Sequence, residues 1–201
     1  GELGLEVYSP SGAKLGFWDN LEFPIREIIE YDGLVLFATE DGVERFNETT
    51  FSWESTWTPG NGLPNNVGDW VGELWTDGQH LLVGTATFAW WGGFQRGVIG
   101  HLDGSTGAWS TVETGQNGIP NGYPLSMSQC GSYVYIGLLN NNGGIVSMDL
   151  NSSSVVGSFT TSVLSNGRVA AVACDSVATL YVGYDEDDQG ISKYDTVAGS
   201  W

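Results

Sequence analysis

The sequence has little positive charge and no long apolar run. Its 201 residues include only six lysines and arginines against 24 aspartates and glutamates, which gives a net charge of −18. A protein of that charge repels nucleic acids and anionic membranes, so we expect neither as a partner. No apolar stretch approaches the roughly 20 residues that a transmembrane helix requires, so we expect no membrane insertion of this segment.

Sequence motifs of catalysis are also scarce. The two histidines, His80 and His101, stand in no metal-ligand or catalytic-triad pattern. The chain has no Gly-x-Ser-x-Gly turn and no Gly-rich phosphate loop. We therefore expect a protein that has no cofactor and is not an enzyme, although its many carboxylates leave an acid/base pair open.

What the sequence does contain is a repeat. A strand-like segment that starts with glycine returns five times, beginning at Gly4, Gly42, Gly97, Gly144 and Gly190. The copies are about 40 to 55 residues apart, near the period of four-stranded propeller blades. Long helices are not expected, because the runs of strong helix formers that they need are absent.

Two more strands precede each internal copy, and a fourth strand follows it. A short turn such as Asp32-Gly33 joins the first two strands, and an Asp-Gly pair suits a two-residue hairpin. The fourth strand usually carries a tryptophan, such as Trp53 or Trp109, whose ring we expect to be structural. The expected first strands are 25–29, 70–75, 125–129 and 169–173, and the expected second strands are 34–39, 81–85, 133–137 and 180–183.

Four short antiparallel strands form one blade, and blades pack around an axis because a single blade cannot bury both of its faces. The sequence predicts an all-β chain of about four propeller blades plus a partial one, in a single β-propeller region. The repeat units are approximately 1–24 (partial), 25–66, 67–123, 124–168 and 169–201 (incomplete).

The chain begins in a third strand of the repeat and stops just after another one. We therefore expect a piece of a larger propeller, whose partners are the remaining blades of a parent chain or a second copy. Closure of the chain as a four-bladed propeller is the alternative.

Parts of the repeat resemble a known family. The segments Gly62-Leu63-Pro64-Asn65-Asn66, Leu81-Leu82-Val83-Gly84-Thr85 and Gly42-Val43-Glu44-Arg45-Phe46-Asn47 are similar to the two-component-regulator propeller repeat. The turn 103–109 is more weakly similar to quinoprotein-type propellers. The first resemblance implies an extracytoplasmic, non-catalytic binding or structural module of a larger protein that recognises a protein or a glycan. A propeller enzyme, either a polysaccharide lyase or a glycosidase, is the alternative.

The best candidate for ligand binding is an aromatic insertion between the second and third strands of the 67–123 unit. Exposed aromatic rings bind sugar faces or partner proteins, and a loop position does not require the rings to be core. The alternative interpretation is that the loop folds back and buries its rings locally. The candidate residues are Phe88, Trp90, Trp91, Phe94 and Arg96.

An acidic turn in the last unit is a candidate calcium site. Asp185, Asp187 and Asp188 precede Gly190 with a spacing that resembles the front half of a calcium-binding loop. The back half is missing, because Thr196 stands where a bidentate glutamate is expected. A solvated acidic turn is therefore the alternative.

The two cysteines, Cys130 and Cys174, end consecutive first strands. A disulfide requires Cα atoms within roughly 7 Å of each other, which is closer than packed blades usually come. We therefore expect two free, buried thiols.

Overall fold

The computed structural model describes residues 5–8, 11–18, 24–88, 93–140, 142–164, 166–185 and 190–201. Within these ranges the chain contains no α-helix, and thus no apolar helix long enough to span a membrane. The strands are β1 (Leu5–Tyr8), β2 (Lys14–Trp18), β3 (Glu27–Tyr31), β4 (Leu34–Thr39), β5 (Gly42–Asn47), β6 (Ser52–Trp53), β7 (Thr58–Pro59), β8 (Gly62–Leu63), β9 (Trp70–Thr76), β10 (His80–Phe88), β11 (Phe94–Asp103), β12 (Ala108–Glu113), β13 (Tyr123–Cys130), β14 (Tyr133–Leu139), β15 (Gly144–Asp149), β16 (Ser154–Phe159), β17 (Val169–Cys174), β18 (Thr179–Tyr184) and β19 (Ile191–Asp195).

The strands form consecutive antiparallel meanders. Sheet I (β3–β6), sheet II (β9–β12) and sheet III (β13–β16) have four strands each, and sheet IV (β17–β19) has three. Strands β1 and β2 form a two-stranded sheet, and β7 and β8 form a short parallel pair after sheet I. The predicted all-β architecture of four-stranded antiparallel blades is confirmed.

Successive sheets pack face to face, with their first strands adjacent. Strand β9 packs against β3 and β4, β13 against β9, β10 and β11, and β17 against β13 and β14. Each seam holds an apolar core. Leu36 and Val43 of sheet I meet Leu81 of sheet II, and Ile145 of sheet III meets Leu180 of sheet IV. Alternation along the strands supplies this burial, because neighbouring residues of a strand face opposite seams.

The two ends of the sheets differ in what they carry. The upper face carries the starts of the first strands and the turns between second and third strands. The lower face carries the hairpins between first and second strands and the turns between third and fourth strands. The first hairpin has φ of 51° at Asp32 and 73° at Gly33, as the predicted Asp-Gly hairpin requires.

Two tryptophans of the fourth strands pack as predicted. The Trp53 ring centroid lies 5.4 Å from that of Phe37 and 5.3 Å from that of Phe46. Trp109 packs against the core between sheets I and II, and its ring meets that of Trp57 edge to face at 6.4 Å. Both rings are partly buried, so the expected structural role is confirmed.

The expectation of two free thiols is wrong. Cys130 and Cys174 form a disulfide between β13 and β17, with their Cα atoms 5.4 Å apart. The first strands of neighbouring sheets approach to hydrogen-bonding distance, as the 3.0 Å bond from the Val172 amide to the Ser126 hydroxyl shows. The general spacing of packed sheets, about 10 Å, therefore overestimates the separation at the inner edge, where the blades converge.

Candidate functional site

Four aromatic rings gather at the upper face, where sheets II and III meet. Trp70 and Tyr123 are the first residues of β9 and β13, while Phe88 ends β10 and Phe94 begins β11. We call these four residues the aromatic platform. The ends of four strands from two blades bring them together.

The rings of the platform contact one another edge to face or tilted. The Phe88 ring centroid lies 5.6 Å from that of Trp70 and 5.7 Å from that of Tyr123. Tyr123 is 5.4 Å from Trp70 and 5.5 Å from Phe94. Such contacts stabilise aromatic clusters beyond the area that they bury. The platform is therefore held in shape by its own rings.

Part of the platform stays accessible. Phe88 is 36% exposed, and the other three residues are partly buried. A glycine at position 72 makes room for the indole, because a Cβ there would lie 2.3 Å from Cζ3 of Trp70. The cluster presents ring surface to solvent while its base rests on the inner strands.

Cationic side chains flank the platform in an otherwise acidic protein. The guanidinium carbon of Arg26 lies 5.1 Å from the Trp70 ring centroid, a cation–π distance, and Arg26 also pairs with Glu40 at 2.7 Å. Arg168, which precedes β17, pairs with Asp185 at 2.5 Å. Arg96 lies opposite Thr87 in the β10–β11 ladder. The upper face thus carries Arg26, Arg96 and Arg168, three of the six basic residues.

The Tyr123 phenol responds to this surrounding charge. Burial is the largest influence on its pKa and raises it above the ordinary value. The positive charges of Arg168 and Arg26 lower the pKa, and the negative charge of Asp185 raises it. Since the net shift is upward, the hydroxyl is neutral at physiological pH. It can therefore donate or accept a hydrogen bond to a ligand on the platform.

The predicted aromatic loop is shorter than its sequence suggests. Strand β10 continues to Phe88 and β11 begins at Phe94, with Phe88 paired to Phe94 across the hairpin. Phe88 and Phe94 join the platform, while Trp90 and Trp91 lie outside the described residues.

Sequence reasoning missed Arg26, Trp70 and Tyr123. Each stands at or just before the start of a first strand, a shared position that an alignment of the units would have exposed.

Two carboxyl groups lie on the inner strands near the platform. Glu27 of β3 lies opposite Ala38, and Glu73 of β9 lies opposite Gly84, so the two occupy equivalent positions in neighbouring blades. Oε1 of Glu73 accepts a 3.2 Å hydrogen bond from the Met127 amide of the next blade. Burial, followed by the charge of Glu27, raises the pKa of Glu73 to about 8 despite that bond. Glu73 is therefore largely protonated at neutral pH.

The candidate calcium turn is only partly described. Asp185 accepts a hydrogen bond from the guanidinium of Arg168, and its amide donates to the Arg168 carbonyl at 2.9 Å. Asp187 and Asp188 lie outside the described residues. Among the side chains that the structure describes, no group of three or more His, Cys, Asp or Glu could hold a metal ion. Calcium binding stays a prediction.

Comparison with known proteins supports the fold. No protein-family profile and no curated protein sequence matches the chain. Two extracellular domains described as parts of hybrid two-component systems from B. thetaiotaomicron are structurally similar. One has a TM-score of 0.69 at 17% identity, over 99% of this chain and 27% of that one. The other has a TM-score of 0.62 at 16% identity, over 100% of this chain and 22% of that one.

A third similar structure is that of U3-55K. It has a TM-score of 0.65 at 13% identity, over 89% of this chain and 51% of that one. The chain spans between 22% and 51% of the length of these similar structures. At these identities the likeness shows the propeller fold and leaves the ligand to the chain's own residues.

Proposed function

We propose that this chain is a non-catalytic recognition module of a larger extracytoplasmic sensor or surface protein, and that the aromatic platform contacts a glycan. The observation that carries the proposal is the platform itself, four partly exposed rings held together at one face of the blades. Sugar rings present apolar C–H faces that stack on aromatic rings, and a binding site adds a few polar groups that fix orientation. Arg26 and the Tyr123 hydroxyl are such groups.

Two further observations support the extracytoplasmic location. The Cys130–Cys174 disulfide fits an oxidising compartment, because cytosolic thiols are kept reduced. The structurally similar bacterial chains are extracellular domains of two-component systems. The resemblance of the repeat to two-component-regulator propellers points the same way.

A panel of oligosaccharides, titrated calorimetrically, tests the proposal. We expect one class to bind, and we expect Phe88→Ala in the platform and Arg26→Gln beside it to weaken that binding at least about tenfold, the equivalent of 1.4 kcal/mol. We expect the same of Trp90→Ala combined with Trp91→Ala, between Phe88 and Phe94 in the sequence. Phe51→Ala is the matched control, because Phe51 is 49% exposed and lies in a turn at the lower face. The proposal would be contradicted if Phe51→Ala weakened binding as much as Phe88→Ala does.

A partner protein is the second ligand class. It would dock on the same rings, since exposed aromatic residues are frequent anchors of protein interfaces. The calorimetric panel separates the two classes. A protein ligand would leave the oligosaccharide titrations flat, and free sugars would not compete with it.

The alternative of a polysaccharide-acting enzyme is favoured by one observation. Glu73 keeps its proton at neutral pH, and Glu27 stands at the equivalent position of the neighbouring blade. In a hydrolysis, Glu73 would give its proton to the leaving glycosidic oxygen while Glu27 takes one from the attacking water. Release of reducing ends from a polysaccharide, abolished by Glu73→Gln, would establish this activity and overturn the non-catalytic proposal.

A further inference from the structure

A second cleft lies at the lower face, on the seam between sheets I and II and at the other end of the blades from the platform. It consists of two adjoining cavities that share Tyr31, Asp32 and Gly104. The inner cavity, about 200 Å³, is largely apolar and is lined by Leu34, Leu36, Leu102 and Trp57. The outer cavity, about 290 Å³, is polar and is lined by Asp32, Gln79 and Ser105. The cleft is therefore amphipathic.

Tyr31 stands where the two cavities meet. It is only 7% exposed and lines both cavities, and no hydrogen bond joins its hydroxyl to a residue that the structure describes. The hydroxyl oxygen is not enclosed by protein atoms, so a hydrogen-bond donor in the cleft can reach it. Gly104 keeps the space beside the hydroxyl open, because a Cβ there would lie 2.7 Å from the phenol oxygen and 2.4 Å from the Gln79 carbonyl oxygen.

The open end of the cleft is strongly negative. Burial raises the pKa of Tyr31, and the charges of Asp32, Asp103 and Asp77 raise it further, so all three carboxylates act on the phenol. Hydrogen bonds from the Ser105 hydroxyl and amide lower the pKa of Asp103 to about 2. That carboxylate is therefore ionised at any physiological pH. A cation placed beside the Tyr31 hydroxyl would be stabilised by all three.

The inner end is closed by a fixed cation. Arg45, with 14% of its side chain exposed, places its guanidinium carbon 4.8 Å from the Trp57 ring centroid. Its Nε donates to the Ser55 carbonyl at 2.9 Å, and the Ser55 hydroxyl accepts from the same guanidinium at 3.1 Å. A second positive charge is therefore disfavoured at the apolar end. The charged end of a ligand is directed to the carboxylates, and an uncharged chain to the leucines.

From these contacts we infer that the cleft binds a primary alkylammonium ion. The ammonium group lies beside the Tyr31 hydroxyl and the Asp32 carboxylate, and the alkyl chain lies in the inner cavity against Leu34, Leu102 and the Trp57 ring. The hydroxyl accepts a hydrogen bond from the ammonium. A free alkylamine and the side chain of a lysine share this chemistry.

Calorimetric titration with n-hexylamine at about 0.15 M ionic strength, where long-range attraction is screened, tests the inference. We expect saturable binding of one equivalent, weakened at least about tenfold by Tyr31→Phe and by Asp32→Asn, the equivalent of 1.4 kcal/mol each. Asn tolerates the positive φ of 51° at position 32. Neither change should alter the melting temperature, since the hydroxyl has no partner to lose within the described chain.

Matched controls separate the site from general attraction to an acidic protein. Tyr133→Phe removes an exposed hydroxyl, and Asp41→Asn removes an exposed carboxylate at the upper face. Both should bind n-hexylamine as the wild type does. Equal affinity for n-hexanol, or binding that survives Tyr31→Phe and Asp32→Asn, would overturn the inference. Titration with Nα-acetyl-lysine-N-methylamide distinguishes the lysine source, because only a cleft open to peptides would bind it.

Discussion

Sheets III and IV place the same residue type at the same position, with opposite outcomes. Ile145 lies opposite Gly137 in sheet III, and Ile191 lies opposite Gly183 in sheet IV. Ile145 is 0% exposed, whereas Ile191 is 70% exposed. The side chains are identical and the local pairing is the same. The difference is that sheet IV covers Ile145, while no sheet in the described ranges covers Ile191.

The comparison shows that a blade's core belongs to the seam between blades. Sheet III has partners on both faces, while sheet IV has one described partner, sheet III. The link between them is reinforced by polar and covalent contacts. The Ser126 and Ser128 hydroxyls accept hydrogen bonds from the Val172 and Cys174 amides at 3.0 and 3.1 Å, and the disulfide joins the same strands.

The largest difference between the two sheets should appear when each isoleucine is truncated in turn. Ile145→Ala should lower the free energy of unfolding by about 2–5 kcal/mol, because it removes buried methyl and methylene groups and leaves a cavity. Ile191→Ala should change it by less than about 0.5 kcal/mol, as exposed positions usually do. Urea unfolding of both variants measures the contrast. Equal losses would mean that sheet IV is covered in solution.

The disulfide provides the next test. Replacing Cys130 and Cys174 together with alanine should cost about 2–4 kcal/mol, since the cross-link restricts the unfolded chain. Hydrogen exchange should show the loss first in β17–β19, the sheet with one described partner. Reduction of the wild type is the matching control. A uniform loss of protection across sheets I to III would contradict a local role.

The seam between sheets II and III should be pH-dependent, unlike the seam between sheets III and IV. The former is bridged by Glu73, whose pKa rises from an ordinary 4.5 to about 8, and the latter by serine hydroxyls that do not titrate. The folded state keeps a proton that the unfolded state releases. The stability from this group is therefore complete below about pH 4.5 and is lost as the pH rises to about 8.

Urea unfolding of Glu73→Gln between pH 5 and pH 8 checks this dependence. The difference in unfolding free energy between variant and wild type should change by up to about 1.4 kcal/mol per pH unit, in favour of the variant at high pH. Glu27→Gln should reduce the total change over this pH range, because the charge of Glu27 helps to raise the pKa of Glu73. A difference that is constant over this range would show that Glu73 titrates normally.

The smallest effect should come from the hydroxyl bridges. Ser128→Ala leaves the Cys174 amide without its 3.1 Å partner and should cost about 1 kcal/mol. Ser152→Ala, in an exposed turn of the same sheet, serves as the control and should be neutral. A cost shared by both variants would point to a general effect of removing hydroxyls rather than to the bridge.

The strands were predictable because they are local. Residues 34–39 were expected as a second strand and form β4 with the same bounds, since alternation and the Asp32-Gly33 turn fix them within a few residues. The ends of β10 and β11 were not predicted correctly, because the aromatic residues around 87–96 suggested a long loop. The hairpin instead extends to Phe88 and Phe94, whose rings pack on Trp70 and Tyr123 of two other strands.

The sequence by itself determined the repeat, the antiparallel blades and the order in which they follow one another. These depend on alternation within a strand and on turn residues beside it. The tertiary structure decided which distant residues meet. It joined Cys130 to Cys174, gathered Trp70, Phe88, Phe94 and Tyr123, and buried Ile145 while exposing Ile191. The reason is that distances across a seam depend on how two sheets pack and converge, which no pattern within one sheet encodes.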